Sequence, residues 1–228
     1  MTNKNYGRVT GGRIMEAYYD YPHLTNLVYE ALDYGMESIQ VFPNQVRRAK
    51  ELLDGRPDAP AVCAVIAYPH GTFLPEQKAY EIEDAVQEGA DQLEVVLNVV
   101  NVRSGDWAQV EREFALCRQA AGARTLKFIV EAEYLKPEML KRVCGLAAAA
   151  GIDRLCTSIG VYPIAKDGAE AVAGAEAEDV RLMKEYSGGK MKTVAMGCID
   201  SPERFMELLN AGADYICTEF AAQILKKL

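Results

Sequence analysis

The chain has 228 residues, half of them apolar, and 33 acids against 25 bases give it a formal net charge of −8. That length suits one large core and is short for two full domains, while the acidic balance repels nucleic acid and anionic membrane surfaces. The expectation is a single domain over residues 1–228 that meets a small-molecule partner, with no nucleic acid and no membrane.

Six cysteines, at 63, 117, 144, 156, 198 and 217, show no CxxC spacing. A chain with a sizeable core needs no covalent staples, so they read as free thiols in a reducing, cytoplasmic compartment. The first twenty residues hold no apolar run fit for a signal sequence, and no segment approaches the roughly 18 apolar residues of a membrane span.

In chain order, apolar runs alternate with amphipathic helical patterns. Residues 12–18 are the candidate first strand. Leu24, Leu27, Val28, Ala31 and Leu32 then keep helical spacing before a strand over 37–42. Val46, Ala49, Leu52 and Leu53 precede a strand over 61–68, and Pro75 opens a helix whose stripe is Ala79, Ile82, Ala85 and Val86. After a strand over 91–98, Asp106 with Gln109 reads as a helix cap, followed by strands over 124–131 and 153–158. A strand over 191–196, a helix opened by Ser201-Pro202-Glu203 and a strand over 214–219 complete the pattern.

The tripeptides Gly-Ala-Asp at 89–91 and 212–214, and Gly-Ile-Asp at 151–153, each place a glycine between a helix and the next strand. Eight units of roughly 28 residues fill the chain and predict a (β/α)8 TIM barrel. The competing open, doubly wound sheet would bring a Gly-x-Gly-x-x-Gly turn, which is missing here. Residues 160–176, rich in Ala and Gly, form the longest irregular piece, either a lid or substrate loop or a tolerated insertion.

In such a barrel the chemistry sits at the C-terminal ends of the strands, and charges inside otherwise apolar strands are informative because an unpaired buried charge is costly. Glu94, Lys127, Glu131 and Lys192 qualify. They read either as a structural ion network or as groups tuned for proton transfer, with either lysine a candidate imine former. Cys156 reads as a small core hydrophobe or as a nucleophile. His70, just beyond a strand, is an acid/base or a turn stabiliser. Cys156, Cys198 and Cys217 could join His70 around a soft metal, but their spacing lacks zinc-site regularity; no metal and no cofactor is expected.

The stretches AYPHG, EIEDAVQEGADQLEVVLNVVNVRSGDWAQVEREF, TLKFIVEAEYL, AGIDRLCTSIG, AEDVRLMKEY and the late AGAD, from about Glu30 to Ala222, resemble the deoxyribose-phosphate aldolase family. The resemblance implies a TIM barrel, a homodimer and class I aldolase chemistry, in which a lysine imine joins acetaldehyde to glyceraldehyde 3-phosphate. It also implies site residues. Glu94 matches the family's catalytic aspartate, Lys127 and Glu131 match its Leu-Lys-x-Ile-Ile-Glu strand, and His70 its Pro-His-Gly turn. Asn98 and Ser158 are candidate substrate contacts.

The imine-forming lysine is matched by Cys156, and the second lysine by Val194, with Lys192 two residues earlier. At the phosphate turns stand Gly197-Cys198 and Glu219-Phe220-Ala221, where the Glu219 carboxylate opposes a phosphate dianion. These departures predict a divergent lyase, dehydratase or isomerase of a small oxygenated carbonyl compound, using Glu94 and Lys127 and drawing on Lys192, without ordinary deoxyribose-phosphate cleavage. The alternative is a non-catalytic small-molecule binding or regulatory protein on the same barrel.

Overall fold

The computed structural model describes residues 3–16, 18–160 and 174–228. The predicted lid over 160–176 falls almost wholly outside them. Eight parallel strands close into a barrel: β1 (Thr10–Arg13), β2 (Ser38–Val41), β3 (Ala61–Ile66), β4 (Gln92–Val96), β5 (Thr125–Ile129), β6 (Arg154–Cys156), β7 (Lys192–Met196) and β8 (Tyr215–Thr218). Each strand pairs with the next, and β8 returns to β1 through Gly11 opposite Cys217. Closure excludes the open sheet.

Around the barrel run α1 (Asn3–Gly7), α2 (Tyr21–Tyr34), α3 (Val46–Leu52), α4 (Pro75–Gln87), α5 (Val99–Ser104), α6 (Trp107–Ala121), α7 (Pro137–Ala149), α8 (Ala177–Ser187), α9 (Pro202–Asn210) and α10 (Ala221–Lys227). Their apolar stripes meet the outward faces of the strands. Phe114 of α6 stands edge-on to Phe128 of β5, centroids 4.7 Å apart and both fully buried, and each such ring contributes about 2–3 kcal/mol by leaving water.

The first strand corrects the expected 12–18: it begins earlier, at Thr10. Two glycines disguised it, since glycine is a poor strand former, yet here it permits close approach. A Cβ on Gly11 would lie 2.9 Å from the Gln40 amide, and one on Gly12 would lie 2.8 Å from Leu27. β1 therefore presses against β2 on one side and α2 on the other.

The helix signals hold. Asp106 accepts a hydrogen bond from the Gln109 N–H at 3.3 Å, and Ser201 accepts one from Arg204 at 3.4 Å. Behind the tripeptide repeat lies a strand clamp. Gly89, Gly151 and Gly212 all take positive φ, and the aspartate two residues later accepts the backbone N–H of the preceding strand. Asp91 takes that of Val62, Asp153 that of Leu126 and Asp214 that of Thr193, each at 2.8 Å. Every clamp is held in turn by a cation: Lys50, Arg118 and Lys184 respectively.

Candidate functional site

The barrel interior is a stack of two unlike layers. The lower one is polar. Register sets Glu94 beside Lys127 and Lys127 beside Arg154. The Lys127 ammonium lies 3.7 Å from Glu94 Oε2, and the Cys156 thiol donates to the same oxygen at 3.7 Å. Toward the N-terminal end of the barrel, Glu37 pairs with Arg154 at 2.8 Å, and the Arg154 guanidinium covers the Tyr215 ring at 4.1 Å.

Burial alone would lower the Lys127 ammonium, but Cys63, Glu94 and Glu37 facing it more than reverse this, and its pKa is raised. Glu37 feels the opposite balance: burial raises it, yet Lys127 and Arg154 bring it down to about 2. Burial first, and Glu94 second, push the Cys156 thiol well above its usual range. Lys127 is thus a fixed cation and Cys156 a protonated thiol, so neither is poised as a nucleophile.

The upper layer is apolar. Val96, Ile129, Ile159, Val194, Met196 and Cys217 pack with Cys156 into one buried cluster. Val96 and Ile129 stand two residues along their strands from Glu94 and Lys127, on the same face and nearer the C-terminal mouth. They cap the polar layer. Lys127 does border a space of about 10 Å³ toward the other end of the barrel, which barely admits one water.

At the mouth a second polar group gathers. After β5 the chain turns sharply: Glu131 has φ 50°, and a short 3-10 turn over Ala132–Tyr134 follows. Glu131 and Glu133, 4% and 3% exposed, converge on Ser158 just beyond β6. The Ser158 hydroxyl is hydrogen-bonded to Glu133 Oε1 and lies 3.4 Å from Glu131 Oε2. The Ile159 N–H donates to Glu131 Oε1 at 3.0 Å. Burial, followed by the neighbouring Glu133 charge, lifts the Glu131 carboxyl to about 8, and Glu133 is raised as well, again chiefly by burial.

Beside this pair lie two cavities that share Ile159. One, of about 340 Å³, is bordered by Glu131, His70, Arg103 and Tyr134. The other, of about 250 Å³, is bordered by Arg13, Glu16, Cys198 and Glu219. Arg13, at the end of β1 and 5% exposed, donates to the Ile159 carbonyl at 3.3 Å and lies 3.7 Å from Glu219.

The predicted site residues therefore divide. Glu131, Ser158 and His70 come together at the mouth, with Gly197 and Glu219 at the neighbouring cavity. Glu94, Lys127 and Cys156 form the sealed layer. Asn98 borders neither cavity; it stands at the N-cap position of α5 without a side-chain capping bond, and its N–H donates to Glu113 at 3.2 Å. Gly197 packs backbone to backbone with Gly160, where an added Cβ on Gly160 would lie 2.6 Å from the Gly197 Cα.

Lys192 is the clear correction. It is the first residue of β7, at the opposite end from the mouth, its side chain 61% exposed and 3.3 Å from Asp214. It does not reach the position of Cys156, because a lysine at the start of a strand cannot act at its far end. Nor do the thiols converge on a metal: Cys156 and Cys217 are buried, Cys198 is exposed, and among the described residues no group of three or more His, Cys, Asp or Glu could hold one.

Sequence reasoning missed Arg13 and Glu133. Arg13 shares an inward face with Gly11 once β1 is placed at Thr10. Glu133 follows Glu131 by two residues in Glu-Ala-Glu, a repeat readable as a carboxyl pair only if the chain turns after Ile129.

A closed ring of eight parallel strands with helices between them defines a (β/α)8 protein. Comparison makes this specific: the chain belongs to the DeoC/LacD family of aldolases, whose model matches residues 7–209. A deoxyribose-phosphate aldolase of Clostridioides difficile is 30% identical over 93% of this chain and 92% of its own. Deoxyribose-phosphate aldolase 1 of Cutibacterium acnes is 36% identical over 85% and 84%. A solved Coccidioides immitis structure, provisionally assigned as a deoxyribose-phosphate aldolase, superposes with TM-score 0.91 at 25% identity, over 100% of this chain and 86% of that one.

Proposed function

We propose that the protein is a divergent aldolase-family enzyme that performs acid–base chemistry, without an imine, on a small oxygenated carbonyl compound at the barrel mouth. The observation that carries this reading is the Glu131–Glu133 pair joined through Ser158, with Glu131 lifted to about 8. Two crowded carboxyls cannot both ionise freely, so near neutral pH they hold one proton between them, and one member serves as base while the other serves as acid. Set against a ligand in the cavity shared with His70, the ionised member removes a proton next to the carbonyl. The protonated member then neutralises the oxyanion. That pair of transfers is the common half of an isomerase, a dehydratase and a lyase. The sealed Glu94–Lys127 layer, its charges paired with one another and with the Glu37–Arg154 pair, then serves as a structural floor beneath the site instead of a proton relay.

The test is solvent-deuterium incorporation into glycolaldehyde, dihydroxyacetone and glyceraldehyde, followed by proton NMR. Exchange at the carbon next to the carbonyl is expected, reduced roughly 10²-fold or more in Glu131→Gln. Absence of exchange with all three compounds, or equal exchange in the variant, counts against it. The second reading, a binding protein without turnover, draws on the sealing of the old catalytic layer, and saturable binding without exchange would favour it. The proposal includes a cytoplasmic setting, supported by six cysteines free of disulfides, and the homodimer that the family resemblance implies.

A further inference from the structure

The cavity on the far side of Ile159 is not used by the chemistry above, and its make-up is specific. Arg13 is 95% buried, from its 5% exposure, and lines this cavity, while its Nε–H, itself covered from solvent, has no hydrogen-bond partner. A guanidinium carries five N–H donors, and Arg13 commits one of them, Nη1, to the Ile159 carbonyl at 3.3 Å. Glu219, at 3.7 Å, is too far to satisfy Nε. The same cavity is bordered by two carboxylates, Glu16 and Glu219, and Glu219, raised first by burial, is raised further by the Glu16 charge. The wall thus holds one buried cation with an unmet donor beside two acids that repel each other.

We propose that this cavity is an anchoring site for an amino-acid-like zwitterion, whose carboxylate takes the Arg13 guanidinium while its ammonium lies between Glu16 and Glu219. A dianion such as phosphate meets one positive group and two negative ones, and a simple amine brings no anion to the Arg13 guanidinium. A zwitterion with adjacent charges satisfies all three and adds no net charge. The cavity volume of about 250 Å³ equals about eight waters at ~30 Å³ each, room for a small amino acid.

The anchor is also wired to the acid–base pair. The Ile159 peptide accepts from Arg13 through its carbonyl and donates to Glu131 through its N–H, so a ligand held on Arg13 is placed one peptide away from Glu131. The binding inference stands without turnover, and only this placement rests on the function proposed above.

The experiment is calorimetric titration of the full chain with glycine, L-serine, acetate, ethylammonium and inorganic phosphate, in wild type, Arg13→Gln, Glu219→Gln and Glu131→Gln. Glycine or serine is expected to bind at least tenfold more tightly than acetate, ethylammonium or phosphate. Arg13→Gln and Glu219→Gln should each weaken that binding tenfold or more, while Glu131→Gln binds as wild type does. Because Arg13 is buried, Glu219→Gln at the half-exposed rim is the variant that decides should Arg13→Gln unfold. Tighter binding of phosphate or acetate, no saturation by either amino acid, or binding indifferent to Glu219→Gln overturns the inference. Loss of deuterium exchange in Glu131→Gln with amino-acid binding intact would separate the fate of this site from that of the proposed reaction.

Discussion

Replacing Glu131 by Gln should change how the stability of the protein depends on pH, and the sign follows from the mouth geometry. Glu131 is an acid whose carboxyl is raised from about 4.5 to about 8 by burial and by Glu133. In the window between those values the folded chain holds a proton that the unfolded chain has released. The linkage slope is then negative: the Glu131 contribution to stability is full below about 4.5 and is lost as pH rises through about 8. One proton corresponds to at most about 1.4 kcal/mol per pH unit, and sharing with Glu133 spreads the loss over a broader range.

Gln resembles the protonated acid. It can still accept from the Ile159 N–H and donate to Glu133, and it carries no charge to be desolvated. The assay is urea denaturation at pH 5, 6, 7 and 8, read by circular dichroism for wild type and variant. The wild type should lose stability progressively over this series, and Glu131→Gln should show a clearly flatter profile, equalling or exceeding wild-type stability at pH 8. Parallel profiles in the two proteins would refute the reasoning, because the raised carboxyl would then make no difference to folding.

The purified protein should release acetaldehyde from deoxyribose 5-phosphate only at background rate, since Lys127 is a capped cation and Lys192 lies at the wrong end of the barrel. Robust release abolished by Lys127→Ala would show that the sealed layer opens. A third outcome concerns Lys78 and Glu113, a wholly buried pair at 2.5 Å that links α4 to α6, with the ammonium also donating to the Val96 carbonyl at 2.7 Å. Lys78→Met should cost about 3–5 kcal/mol in chemical denaturation because it strands the carboxylate; Lys78→Met with Glu113→Leu should recover much of that loss, and a double variant as weak as the single one would contradict it.

The barrel was legible because its signals are local. Asp106 and Ser201 cap the helices they were expected to cap, and the three Gly-x-Asp repeats sit at the helix-to-strand turns. What failed was long-range. Lys192 shares strand parity with Val194 and Met196, and parity reveals the face of a strand but not which end of the barrel a long side chain serves. Glu94 and Lys127 were recognisable as charges in apolar strands; that Val96 and Ile129 close over them depends on how eight strands fill one interior. Arg13 hid behind Gly11 and Gly12, whose poor strand propensity is outweighed by the close approach of Gln40 and Leu27. Glu133 hid because its approach to Ser158 depends on the left-handed turn at Glu131, a conformation that a glutamate adopts only under tertiary constraint.

The two layers suggest how a family barrel can change its chemistry without losing its fold. A lysine at the position of Cys156 would bring a second ammonium toward Lys127 and Glu94, which the cysteine replaces with a neutral thiol donating to Glu94. With that amine gone, the single Glu94 carboxylate and the Glu37–Arg154 pair suffice to compensate Lys127, and no further charge is needed from the mouth. Glu131 and Glu133 stay crowded on Ser158, which keeps a proton on the pair near neutral pH, the condition an acid–base site requires. Arg13 is the buried cation of the cavity lined by Glu16 and Glu219, where a phosphate-selective rim would want the opposite excess. On the proposed function, reaction centre and anchor both lie at the mouth, joined through the single peptide of Ile159.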